Sequence, residues 1–162
     1  EIDDLFYPAK VNLAMLLNGA GRNQEAERLL REILEDYPDE YETSYSLGLL
    51  LAEMNRPEEA ERYLARAAAG MPDRTRILYN LGLIQQQIGR LDDAEATFLR
   101  AIDLEPDNYD VLFALADHYV RRGEFGKARR LAERMIDLQP QNQLGHDLKR
   151  HIDTMGDQPE SD

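Results

Sequence analysis

The chain has 162 residues, room for one domain of ordinary size, and 43% of them are apolar, enough to build a packed core. A net charge of -13, from 32 acids against 19 bases, argues against nucleic acid as a partner. The absence of cysteine excludes disulfides, thiolate metal sites, cysteine nucleophiles and covalent haem attachment. No apolar run approaches the roughly 20 residues that span a bilayer and no signal-peptide pattern opens the sequence, so a soluble protein without membrane insertion is expected. Arginine far outnumbers lysine, a weak pointer to a bacterial cytoplasm or periplasm.

Residues 1–6 read as a leader or the remnant of a preceding repeat. Glu1 opens the chain where methionine would be usual, and Ile2 falls where an earlier unit would place an apolar residue. Nothing before Tyr7 could form a covering helix, so an upstream region of a longer polypeptide is expected.

From Tyr7 onward the sequence keeps a period. Prolines recur at Pro38, Pro72, Pro106 and Pro140, 34 residues apart each time, a spacing that belongs to stacked arrays. Leu13, Leu47, Leu81 and Leu115 follow the same ruler, and so do the small residues Ala14, Gly48, Gly82 and Ala116, then Ala26, Ala60, Ala94 and Ala128. Apolar residues three and four apart on either side of a break at Gly21, Asn55, Gly89 and Gly123 predict two amphipathic helices per unit. Gly48 and Ala60 would let the two backbones approach, with Leu47 and Leu64 filling the flanks. Each proline closes a second helix, and Asp39, Asp73 and Asp107 are expected to cap the helix that follows. This divides the chain into units 7–40, 41–74, 75–108 and 109–142. Leu144, Leu148, Ile152 and Met155 then form an apolar stripe on a capping helix over 143–155, and 156–162 read as a disordered tail.

The stretch ILYNLGLIQQQIGRLDDAEATFLRAIDLEPDN, residues 77–108, resembles a consensus tetratricopeptide repeat, and the other three units match it. Two positions depart from that consensus: the usual tryptophan at the fourth place is Lys10, Ser44, Leu78 and Leu112, and the late aromatic is Leu30, Leu64, Phe98 and Ala132. The resemblance implies an all-α fold, an α-solenoid in which antiparallel helix pairs build a right-handed superhelix. It also implies that first helices line a concave groove. Carried onto this chain, the groove positions are Val11, Asn12 and Met15; Tyr45, Ser46 and Leu49; Arg76, Tyr79, Asn80 and Leu83; and Phe113, Asp117 and Arg121. The carboxylate clamp of one branch of that family is largely missing, since its places read Val11, Met15, Ser46, Arg76 and Asn80.

The three aromatics offer rigid contact area, and the amides of Asn12 and Asn80 could pair with the main chain of an extended ligand. The expected function is therefore a protein interaction scaffold that holds an extended segment of another protein, or of an upstream domain of the same chain. One alternative is the C-terminal assembly or regulatory region of a larger bacterial enzyme or multihaem cytochrome-like protein. Another is homo-oligomerisation through the uncapped first helix pair, which leaves Leu13, Leu16 and Leu17 exposed.

No enzymatic activity, cofactor or metal is expected. The three histidines, His118, His146 and His151, lack ligand-type companions at useful spacing, and His118 is placed at the less buried end of the stack. Acid pairs such as Glu58 with Glu59 and Asp92 with Asp93 open second helices, where they offset the dipole. Arg121, Arg122, Lys127, Arg129, Arg130 and Arg134 make the fourth unit a basic island that could steer an acidic partner.

Overall fold

The computed structural model describes residues 6–156, so residues 1–5 of the expected leader and 157–162 of the expected tail lie outside the described residues, while Phe6 opens the first helix and Gly156 closes the last. Among the described residues the structure is all-α. In chain order the helices are α1 (Phe6–Gly19), α2 (Asn23–Asp36), α3 (Tyr41–Glu53), α4 (Pro57–Gly70), α5 (Thr75–Gln87), α6 (Leu91–Leu104), α7 (Tyr109–Arg121), α8 (Phe125–Leu138) and α9 (Gln143–Gly156). They form two compact units, the first ending at Arg90 and the second beginning at Leu91. In the first, α1 to α5 pack each on the next; in the second, α6 to α9 do the same.

The break in each helix pair has one backbone cause. Gly21, Asn55, Gly89 and Gly123 adopt φ of 75°, 57°, 79° and 73°, the left-handed region where glycine and asparagine carry the least penalty. The next amide then reaches back five residues: Arg22 N donates to Leu17 O, Arg56 N to Leu51 O, Arg90 N to Gln85 O and Glu124 N to Tyr119 O, at 2.8–2.9 Å. These bonds satisfy carbonyls that a helix end leaves orphaned. Pro57 then occupies the first turn of α4, where its missing N–H costs nothing.

At the far end of the pairs, α2, α4, α6 and α8 each stop two residues before their proline, Pro38, Pro72, Pro106 and Pro140. The expected aspartate caps are not formed. The N-cap residues are Glu40, Arg74 and Asn108, one position later, and of these Asn108 alone accepts a hydrogen bond, from Val111 N at 3.2 Å. The chain spends one more residue in the turn after proline than a direct cap allows. Asp107 instead pairs with Arg134 at 3.0 Å.

The small residues act as the period suggested. A Cβ on Gly48 would sit 2.8 Å from Cγ of Leu64 and 3.2 Å from its backbone N, so α3 and α4 approach through that gap. Leu47, Leu51, Leu64, Ala60 and Ala67 are fully enclosed around it, each leucine worth about 1.5–3 kcal/mol on transfer from water. In the second unit Phe98, Leu112, Leu115, Ala128, Ala132 and Met135 play the same part. Helix α9 covers α8 with Leu148 and Ile152, while Leu144 and Met155, expected to share that stripe, stay exposed at its two ends. Gly145 supplies the close approach, its hypothetical Cβ lying 3.2 Å from Ile136 and 3.3 Å from the Tyr109 hydroxyl.

Candidate functional site

The inner wall of the first unit is carried by α1, α3 and α5. Helices α3 and α5 touch directly although α4 separates them in sequence, because a two-helix repeat returns first helices to the same side. Between α1, α2 and α3 lies a hollow of about 140 Å³ lined by Ala14, Met15, Asn18, Leu30, Ser46, Leu49, Leu50 and Glu53. Three of the groove residues expected from sequence, Met15, Ser46 and Leu49, therefore meet in one place. Met15 is 63% exposed, which is unusual for a residue beside an apolar cavity and leaves its thioether free to move. Sequence reasoning missed Asn18 and Glu53, although they follow Met15 and Leu49 by three and four residues on the same helix faces.

The remaining expected residues of this wall behave differently from one another. Asn80 Nδ2 donates to the Tyr45 hydroxyl at 2.7 Å, joining α5 to α3. One of the two Asn80 amide donors thus braces the wall itself. Ser46 Oγ likewise donates to Glu42 O of its own helix at 3.0 Å. Val11, Tyr79 and Leu83 are half-buried, while Asn12 and Arg76 are exposed; none of these lines the hollow.

In the second unit the equivalent helix is α7. Phe113 is half-buried, and Arg121 Nε donates to Asp117 Oδ2 at 2.6 Å, one turn away on the same helix. Two of the three expected groove residues here thus satisfy each other. The basic island is also largely neutralised. Arg122 reaches Asp92 at 2.6 Å and Glu124 at 2.9 Å, Lys127 reaches Glu124, Arg129 reaches Asp153 at 2.8 Å and Arg134 reaches Asp107. Five of its six cations, Arg121 among them, thus have acidic partners within the chain.

His118 is fully buried, not at an open end of the stack as expected, with the Phe98 and Tyr119 rings edge-on at 6.1 and 5.9 Å. It occupies the place of Leu50 and Ile84, which are buried too. Burial pushes its pKa below the usual histidine value, with the nearby Glu95 carboxylate opposing that shift. Beside it, burial first and then the hydrogen bond to Glu95 at 2.9 Å push the Tyr119 phenol up to about 12. Lys127 stands 4.7 Å from the centre of that ring, so a phenol, an imidazole and two charges lie together here. Among the described residues no cluster of histidine and carboxylate side chains could hold a metal ion, and no helix is long and apolar enough to cross a membrane.

Two family models, both described as tetratricopeptide repeat, match this chain: one over residues 45–108 and again over 79–143, the other over 17–71. The chain is a tetratricopeptide repeat protein. Neither matched model describes a catalytic family. The chain matches no curated protein.

Solved structures of similar fold include MamA residues 41–end from Desulfovibrio magneticus RS-1, with a TM-score of 0.84 at 18% identity over 93% of this chain and 85% of that one. A tetratricopeptide repeat protein from Parabacteroides merdae gives 0.83 at 16% identity, covering 91% of this chain and 60% of its own. YrrB, whose structure is described as a tetratricopeptide repeat protein with an unusual peptide-binding site, gives 0.64 at 20% identity over 87% and 90%. These likenesses place the tetratricopeptide repeat protein among all-α helical solenoids, the architecture of protein interaction scaffolds.

Proposed function

We propose that this tetratricopeptide repeat protein holds an extended segment of a partner protein against the inner wall of its first unit, with one apolar side chain of that segment seated beside Met15 and Leu49. The hollow between α1, α2 and α3 is the observation that carries this reading. A dry cavity of about 150 Å³ takes a benzene ring, so a hollow of about 140 Å³ suits a single leucine, methionine or phenylalanine side chain. Glu53 at its rim is exposed, which favours a basic residue next to the apolar anchor. Tyr45, Tyr79 and Leu83 extend the contact along α3 and α5, and Asn12 and Arg76 supply exposed polar groups. YrrB's described peptide site agrees with such use of the fold. In this reading the four-unit division of residues 7–142 holds, no turnover is expected, and the protein acts by bringing partners together.

A bound segment burying on the order of 1,000 Å² belongs with weak, transient interfaces, which sets the expected Kd near micromolar. Peptides selected from a random library on the immobilised chain should follow an apolar-then-basic pattern. Leu49→Asp should weaken them at least tenfold by fluorescence anisotropy, and Tyr45→Ala with Tyr79→Ala should weaken them further. Binding unchanged by all three substitutions would remove the reading.

A second reading, association of the chain with itself through its first helix pair, is favoured by one observation: Leu13 is 48% and Leu16 72% exposed. Leu17, expected beside them, turns inward to α2 and is buried.

A further inference from the structure

The polar side chains that line the hollow are not equivalent. Ser46 Oγ is committed to Glu42 O of its own helix, whereas among the described residues the Asn18 side-chain amide and the Glu53 carboxylate have neither a hydrogen bond nor an ion pair. The arginines nearest to them along the chain are occupied. Arg22 holds Glu25 at 2.6 Å, and Arg56 holds Glu27 at 2.7 Å and Glu59 at 2.6 Å. The last turns of α1 and α3 contain no basic residue. The negative ends of two helix dipoles thus add to an uncompensated carboxylate, in a chain whose net charge is already -13. A cation is the complement that this end of the hollow calls for.

The spacing says where on a ligand that cation sits. Asn18 follows Met15 by three residues on α1, and Glu53 follows Leu49 by four on α3, so the two acceptors stand about one turn, 5.4 Å, beyond the apolar pair. An extended chain sends neighbouring side chains to opposite faces and returns every second one to the same face, about 6.6 Å further on. With one side chain seated beside Met15 and Leu49, the next residue points away from the wall. The one after it arrives over Asn18 and Glu53.

The acceptors come from two helices and differ in kind. A guanidinium is planar and has donors enough for a bidentate pair with Glu53 and a further bond to the Asn18 side-chain oxygen. It is also more weakly hydrated than an ammonium, so it loses less on moving beside Met15 and Leu49. A lysine would answer the charge of Glu53 and give up a tighter hydration shell to do so.

We infer that the hollow recognises an apolar residue together with an arginine two places from it, the guanidinium being shared between Glu53 and Asn18. This rests on the proposed peptide reading and adds the spacing, the choice of arginine over lysine and the residues that make that choice.

The probe is a library of capped twelve-residue peptides with leucine fixed near the centre and every other place random, selected on the immobilised chain. Arginine should be enriched two places from the leucine, above lysine at that place and above arginine at the adjacent places. In a selected peptide, citrulline keeps the shape of arginine and removes its charge; it should weaken binding at least tenfold by fluorescence anisotropy, and lysine about fivefold. Glu53→Gln should bind the arginine and citrulline peptides alike, and Asn18→Leu should bind the arginine and lysine peptides alike, both with unchanged helical circular dichroism. Glu53→Arg should prefer the same peptide with glutamate in place of its arginine.

Selected peptides that lose binding to Leu49→Asp but show no enrichment of arginine would overturn this inference and leave the proposed groove standing. A selection without binders, or with binders indifferent to Leu49→Asp, would overturn both. An equal loss from citrulline in the parent chain and in Glu53→Gln would overturn the pairing with Glu53, and equal enrichment of lysine and arginine would overturn the shared guanidinium.

Discussion

The first helices of the two units share a register and differ in chemistry. In the first unit the inner wall is apolar and has a hollow, with Met15 and Leu49 at its mouth and a tyrosine–asparagine bond bracing α3 against α5. In the second, α7 presents Asp117 and Arg121 paired to each other and keeps His118 and Tyr119 enclosed behind them. The same repeat positions thus carry different chemistry in the two units. A partner gains most from apolar contact where apolar side chains are partly exposed, and the first unit offers that at Met15 and Leu49; the α7 wall would first have to surrender an ion pair.

The contrast between covered and uncovered copies of one position should give the largest effect. Leu50→Ala is expected to cost about 2–5 kcal/mol in denaturant unfolding, because the cavity left under α2 cannot collapse. The register-equivalent Leu16→Ala, measured in dilute protein, should stay within about 0.5 kcal/mol. Equal costs would mean that α1 is already covered within a single chain.

The second unit should respond to mild acid in a way the first does not. The folded-state pKa of His118 is pushed down by burial, so the unfolded chain binds the proton more readily than the folded one. Its contribution to stability is present above the ordinary value of 6.5 and is lost as pH falls through the lowered folded-state value. Glu95, Glu124 and Asp117 oppose that loss and Arg122 adds to it. Chemical denaturation between pH 7 and pH 5 should therefore lose less stability in His118→Leu, which restores the residue type found at Leu50, than in the parent chain. An unchanged pH slope would show that His118 does not titrate differently on unfolding.

The smallest effect belongs to the pair on α7. Asp117→Asn should alter stability by no more than about 0.5 kcal/mol, since the partner Arg121 is solvent-exposed and the pair is screened. It should also leave binding of selected peptides within twofold, against the tenfold loss from Leu49→Asp. A larger loss from Asp117→Asn would move the binding surface into the second unit.

The parts of the fold that backbone chemistry dictates were readable in advance. A glycine or asparagine at positive φ, a proline that cannot continue a helix, and a small residue where α3 meets α4 each leave a mark in one residue, and the first two recur at a spacing of 34 residues. Caps were misread because the residue after proline belongs to the turn, so the cap falls at Glu40, Arg74 and Asn108, and two of those side chains do not cap.

Within the candidate site, Met15, Ser46 and Leu49 followed from the family register, and Asn18 and Glu53 could have been added from helical spacing. The Tyr45–Asn80 bond spans 35 residues, and no local pattern announces such a pairing. The Asp117–Arg121 pair, by contrast, has the ordinary four-residue spacing and was legible. His118 was placed at the less buried end of the stack, yet its register partners Leu50 and Ile84 are interior and it is enclosed with them, whereas Leu16 at the same register is exposed.

The methionines provide the most direct test. The chain has five, and one of them, Met15, stands at the hollow. With methyl-labelled methionine and a peptide from the library selection, intermolecular Overhauser contacts should run from the peptide's apolar side chain to the Met15 methyl group, with no contacts to Met135 in the core of the second unit. Contacts confined to other methyl groups, with the Met15 signal unmoved at saturation, would contradict the placement of the ligand on the inner wall of the first unit.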